Sequence, residues 1–446
     1  MKRLWLLFFL LSNVTFAQTL EQFLNSPFES NLTVSADGKT MAWVVNDRGI
    51  RNIVTRVGID PPKSFTDFQK DDGQEISQLI FSANGTKLAF VKGGVIYYKG
   101  MTSQFSPLKI TEGSNPIFYP DGLKMIFIKQ GQLFETNLEV NPEVKALGSV
   151  NGINSDLKLS PSGNEILFTS LSTGKASVGV FQLAIQKVKW TSQGKEQDQY
   201  PCWSPDGKQI AFFRVQDFAK GMTLCIADAS TLEIKTFLNL VGSTGNFYLN
   251  RITKPIYWTT TNRILFYSEH TGWRHIFSVK PDGNDLRDIT PGECEADNFT
   301  IDPFAQNIYY STNKDDMERR HIWKSNLTVE NVTQITKIPG IEADPVMAGS
   351  FVYCFRSTPN SPSQLSRIDE IRKTSVPIIT SKLPPANYFV KPETVVVPSS
   401  GESLGGQLFI DRMLNGKRIP LVLIHGGTQQ QVLGAVRILS CFPINL

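Results

Sequence analysis

A chain of 446 residues with 41% hydrophobic and 19% charged residues has the composition of a folded protein with more than one core, and excludes a disordered or collagen-like chain. Its net charge of +4 includes Lys2 and Arg3, and falls to +2 without the first 17 residues, which gives no basis for binding nucleic acid or a charged membrane surface. Five cysteines (Cys202, Cys225, Cys294, Cys354, Cys441) lack metal-ligand spacing, so no metal or cofactor is implied. Cys202 and Cys225 are candidates for neighbouring strands; buried free thiols are the expected state.

The first predicted element is an address. Lys2 and Arg3 precede the apolar run Leu4–Leu11, and Thr15-Phe16-Ala17 offers a small residue before Gln18. This is the layout of a signal peptide over residues 1–17, and it predicts export to a periplasmic or extracellular compartment. A buried N-terminal helix is the alternative. The run is shorter than the roughly 20 residues that span a bilayer, and no later segment suits a membrane span.

A phrase then recurs along the chain: alternating apolar residues, a tight turn, and a strand rich in aromatics. It reads LTVSADGKTMAWV from Leu32, LIFSANGTKLAFV from Leu79, PIFYPDGLKMIFI from Pro116, LKLSPSGNEILFT from Leu157 and PCWSPDGKQIAFF from Pro201. Three degenerate copies follow: IYWTTTNRILFYS from Ile256, FTIDPFAQNIYYS from Phe299 and DPVMAGSFVYCFR from Asp344. Asp-Gly and Asn-Gly supply the positive φ of a tight hairpin, and a preceding Pro presets turn entry. The repeat matches the roughly 40–50 residues of one four-stranded propeller blade. A single blade cannot bury both faces of its sheet, whereas several packed around an axis can. The fold class is therefore mainly β, an eight-bladed β-propeller over residues 18–385. Seven blades is the alternative because the last copies are weak, and a pair of β-sandwiches is a further one.

The pattern changes after about residue 385. Glu393–Ser399 and Leu404–Asp411 read as strands about a turn at Ser399-Ser400-Gly401. Leu421–Ile424 is a continuous apolar run, as in a strand buried on both faces, and it ends in His425-Gly426-Gly427. A plain strand-ending turn is the other reading of that tripeptide.

The Ser-Pro-Asp-Gly phrase resembles the repeats of TolB-like and dipeptidyl-peptidase-type propellers. NSPFESNLTVSADGKTMAWVVNDRGIRNI from Asn25, DDGQEI from Asp71 and YSEHTGWRHIF from Tyr267 resemble the secreted bacterial branch of the prolyl oligopeptidase family. The resemblance implies a serine peptidase lineage that hydrolyses oligopeptides through an acyl-enzyme, with the propeller restricting access. It also implies that residues 386–446 are the truncated start of an α/β-hydrolase domain, with His425, Gly426 and Gly427 a remnant of the loop that helps form the oxyanion hole. In that fold the nucleophile, acid and base follow this loop. Only 19 residues follow Gly427, against the roughly 30 of one βαβ unit, so no catalytic residue is assigned and the chain as written is expected to be inactive. The final TQQQVLGAVRILSCFPINL does not resemble the family's continuation; a frameshift or a gene-model error is the simplest cause.

Gly401-Glu402-Ser403-Leu404-Gly405 fits G-x-S-x-G by letter, but it precedes the His-Gly-Gly loop and no helix pattern follows it, so Ser403 is not read as a nucleophile. His270 and His275 are expected to bond neighbouring turns. His321, after the charged stretch Asp315–Arg320, is expected in a solvated turn. The family's dipeptidases hold the substrate amine with adjacent glutamates; no Glu-Glu pair occurs in this chain, which argues against that specificity and leaves general oligopeptide hydrolysis open. The alternative function is a non-catalytic propeller that binds a protein or cell-envelope partner.

Overall fold

The computed structural model describes residues 27–139, 141–192, 196–217, 221–240, 252–379, 390–399, 401–410 and 421–422. Within them, eight four-stranded antiparallel sheets follow one another, each with its strands in sequence order. Blade 1 runs over Phe28–Ser64, blade 2 over Ile76–Glu112, blade 3 over Ser114–Ala146 and blade 4 over Ile153–Trp190. Blade 5 runs over Gln197–Leu240, blade 6 over Ile256–Asp288, blade 7 over Ala296–Gln334 and blade 8 over Ile341–Pro377. The first strands of successive blades, apart from blades 6 and 7, pack against one another around the axis. The three degenerate phrases form complete blades, which decides for eight over seven.

Why they do so is visible in the turn between first and second strands. Gly38, Gly85, Gly122, Gly163 and Gly207 all hold φ between 68° and 76° in the regular copies. In blades 6 and 7 Asn262 (φ 59°) and Ala305 (φ 51°) take the same conformation and keep the same closing bond, to Thr259 O at 3.0 Å and Asp302 O at 2.9 Å. The glycine has a second reason: a Cβ at Gly163 would come within 2.7 Å of Pro120 Cγ, in the matching turn of the preceding blade. These turns therefore abut one another around one face of the ring.

Apolar side chains pack between blades. The second strand of each blade is buried on both faces, so its alternate residues serve two neighbours. In blade 1, Ala42 and Val44 join Leu88 and Phe90 of blade 2, while Met41 and Trp43 join Tyr353, Phe355 and Leu365 of blade 8. Among the described residues the ring is thus closed by side-chain packing, with no strand shared between its ends; Ser363 Oγ of blade 8 also donates to the Glu29 carbonyl at 2.9 Å.

Two expectations need correction. Cys202 and Cys225 are not on neighbouring strands: Cys202 stands opposite Ala211 and Cys225 opposite Phe212, on either side of the second strand of blade 5. Both are free thiols, as are Cys294 and Cys354; Cys441 lies outside the described residues. The tail forms one antiparallel hairpin, Glu393–Ser399 with Glu402–Leu408, so its second strand ends before Asp411. Of the predicted strand Leu421–Ile424, Leu421 and Val422 are described, in no strand and 94% and 77% exposed; Leu423 and Ile424 lie outside the described residues. No helical α/β-hydrolase segment is present among the described residues. Residues 1–17 lie outside them, and within them no helix is long and apolar enough to cross a membrane.

Candidate functional site on the hairpin-bearing face

The first strands lining the axis carry a repeated defect. Their pairing slips by a bulge between Ser30 and Thr33, Ser77 and Ile80, Ser155 and Lys158, Gln199 and Cys202, Ala296 and Phe299, and Ala343 and Val346. At the slips of blades 1, 2, 4, 5 and 8 a residue with positive φ turns out of the ladder (Asn31, Gln78, Asp156, Tyr200 and Asp344), and Asn115 does the same where blade 3 slips between Ser114 and Ile117. Pro116, Pro201 and Pro345 occupy the next position in three blades, where a missing N–H costs no ladder bond. The polar groups link blade to blade. Asn31 Nδ2 donates to Ile76 O at 2.8 Å, the Asn115 amide to Gln78 Oε1 at 2.6 Å, and Asn298 Nδ2 to Asp344 Oδ1 at 2.7 Å. The sequence reading missed this ring; the X-Pro pairs before the turn phrase are the signal that would have found it.

On blades 6 to 8 the same end of the ring becomes densely charged. Arg274, from the YSEHTGWRHIF phrase, donates to Asp297 Oδ1 at 2.5 Å and lies 3.3 Å from Glu295 Oε2. Arg320, only 7% exposed, reaches the other Asp297 oxygen at 2.9 Å and leaves Nη1 buried without a partner. Burial pushes the Glu269 carboxyl up, Glu295 adds to the effect and Arg274 opposes it. The loop carrying Arg320 is tied to blade 8 by a parallel bridge to Ile341 and by the Glu342 amide donating to Arg320 O at 2.9 Å.

His321 corrects the expectation of a solvated turn. It is buried at the start of a strand (His321–Asn326), with Nε2 3.5 Å from Asp316 Oδ2 and Nδ1 3.5 Å from Glu342 Oε2. The charged stretch before it is polar because it pairs inward. Burial works against the charge on Asp316, but Arg319 and His321 outweigh it and hold this carboxyl below its usual range. Glu342 is wholly buried and accepts bonds from the Thr336 and Ser375 hydroxyls. His270 and His275 serve turns as expected. Ser268 Oγ is 2.7 Å from His270 Nδ1; His275 has Nδ1 2.7 Å from Asp288 Oδ2 and Nε2 2.9 Å from Gly292 O. With both ring nitrogens so engaged, His275 has no free nitrogen to serve as a base, and its neighbour Cys294 is buried.

The terminal hairpin meets this face. Pro339 and Gly340 between blades 7 and 8, the loop residues Glu318 and Arg319, and Arg356 and Pro359 of blade 8 form a cleft of about 380 Å³ with Lys391, Thr394 and Gln407. A larger depression of about 840 Å³ on the opposite face, at blades 6 and 7, includes Arg263, whose guanidinium is already held by Asp285 and Ser278. Ser403 lies in the second hairpin strand, paired with Pro398, and not on a strand-to-helix elbow. His425, Gly426 and Gly427 lie outside the described residues. No cluster of three metal-ligating side chains occurs among the described residues. The arrangement can position and orient charged groups; the described residues offer no activated nucleophile.

Residues 218–362, from blade 5 to blade 8, match the family model for the dipeptidyl peptidase IV (DPP IV) N-terminal region. The fold is similar to that of dipeptidyl peptidase 4 from Porphyromonas gingivalis, with a TM-score of 0.62 and 12% identity over 85% of this chain and 64% of that one. It is also similar to a puromycin-hydrolyzing peptidase of Mycobacterium tuberculosis, with a TM-score of 0.56 and 13% identity over 86% of this chain and 59% of that one. A structure from a study of two prolyl endopeptidases gives a TM-score of 0.55 at 14% identity, over 86% of this chain and 54% of that one. The chain thus spans less than two thirds of each of these peptidases.

Proposed function

From a propeller that carries the dipeptidyl peptidase IV N-terminal region, we propose the propeller portion of an exported serine peptidase of the prolyl oligopeptidase family, acting on oligopeptides. The observation that carries the reading is the hairpin Glu393–Ser399 with Glu402–Leu408, which follows blade 8 in the chain and whose Thr394 and Gln407 line a cleft with residues of blades 7 and 8. In this reading the ring narrows the approach to a hydrolase placed on the same face. The polar bulge ring and the charged wall then meet the substrate, and selection by access replaces selection by a deep pocket.

A second reading is a binding module for a protein or cell-envelope partner, favoured by the turns and charges that the ring displays. The coding sequence beyond codon 446 separates the two. A frame, in any register, that encodes a G-x-S-x-G elbow followed by Asp and His supports the peptidase lineage; its absence supports the binding module.

A further inference from the structure

The cleft between blade 8 and the terminal hairpin gathers three cations from distant parts of the chain. Arg319 comes from the loop of blade 7, Arg356 from the second strand of blade 8 (Phe351–Thr358), and Lys391 from the approach to the hairpin. Arg319 is already committed to Asp316, at 2.9 Å, and keeps its charge largely compensated. Arg356 and Lys391 differ. Among the described residues neither has an acidic partner; Arg356 donates only to Pro339 O, at 3.2 Å, and its Nε is buried without an acceptor. Glu318 is the one acid among the lining residues.

We propose that this cleft binds the carboxylate of a peptide, either an acidic side chain or a free C-terminus, with Arg356 as the principal ligand and Lys391 as the second. Arg356 lines the cleft and donates only to a backbone carbonyl, and a planar guanidinium free of any carboxylate matches a planar carboxylate better than a point anion. A volume of about 380 Å³ accommodates one or two residues and excludes a folded surface. Lys391 belongs to the hairpin segment and Arg356 to the ring, so a bound carboxylate also holds the hairpin to the propeller. The inference deepens the oligopeptide reading and rests on it for the choice of ligand.

The test uses the full chain and three fluorescently labelled tetrapeptides: one with a central Asp and an amidated C-terminus, one neutral with a free C-terminus, and one neutral and amidated. Saturable binding of one of the first two at low ionic strength, weakening as salt rises, is expected, and shows which carboxylate is used. Arg356→Gln should weaken it about tenfold or more, and Lys391→Gln, which lies outside the ring and cannot unfold it, several-fold. Glu318→Gln should tighten it. Equal binding of the neutral amidated peptide, or affinity unchanged in both cation variants with an unaltered melting curve, overturns the proposal. The coding sequence beyond codon 446 is read independently, so a failure of the cleft and a failure of the peptidase lineage remain distinguishable.

Discussion

The Glu29 carboxylate of blade 1 accepts the backbone amide of Leu365 in blade 8 at 2.7 Å, across the seam that closes the ring. Glu29 is 2% exposed and its second oxygen has no partner. Burial pushes this carboxyl up to about 7, against the Leu365 amide and the Trp43 indole, which favour the charged form. A carboxyl raised on folding contributes stability that is complete below its unfolded value near 4.5 and is lost as pH climbs through 7. Glu29→Gln keeps an acceptor for Leu365 and removes the charge. The variant should match the parent at pH 4.5 and exceed it at pH 8 by about 2–3 kcal/mol, read from urea midpoints at the two pH values.

His275 gives a second pH dependence with a different window. Burial opposes its charge, but the bonds to Asp288 and Cys294 prevail and raise it from 6.5 to about 9. Its stabilisation is therefore full below pH 6.5 and disappears as pH rises through 9. His275→Gln should cost about 2–3 kcal/mol at pH 6 and clearly less at pH 10. An NMR titration of the imidazole with its midpoint near or below 6.5 would contradict the assignment.

Gly163 tests the ring of abutting turns. Alanine there meets a φ of 76° and the Pro120 ring at 2.7 Å, so the Gly163→Ala protein should lose about 2 kcal/mol or more in denaturant unfolding. Gly174→Ala has the same positive φ and open space around the new methyl, and should cost only the backbone part, about 1 kcal/mol. Equal losses at the two sites would show that contact between turns contributes nothing.

Ser403 should be chemically inert. A fluorophosphonate probe should leave the 446-residue chain unlabelled, since the Ser403 backbone is paired with Pro398 in a hairpin strand and does not stand on a strand-to-helix elbow. Labelling that vanishes in Ser403→Ala would overturn this.

The propeller was legible because its turns are written in Asp-Gly and Asn-Gly, and the spacing carried the reading through Thr260-Thr261-Asn262 and Phe304-Ala305, where the glycine is missing. The family resemblance read from YSEHTGWRHIF falls inside the segment that matches the DPP IV N-terminal region. What was hidden depends on direction in space. Asp315–Arg320 looks like a solvated run until Arg320 and Asp316 are seen to turn inward onto Asp297 and His321. Cys202 and Cys225 share a blade, yet the strand between them is set by the order of the sheet rather than by spacing. The cleft is harder still, since Arg319, Arg356 and Lys391 belong to three separate segments and no local pattern joins them.

The packing of blade 1 against blade 8 at the seam has a consequence for how the protein is made. The apolar face formed by Met41 and Trp43 is among the first to leave the ribosome, and its cover, Tyr353, Phe355 and Leu365, is among the last. Glu29 and Leu365 are separated by 336 residues. At about 5–20 residues per second, the first blade waits roughly 20–70 s with that face open. During synthesis the nascent ring has two raw ends, and a partner that shields apolar sheet faces is needed most at the first blade, until the eighth arrives.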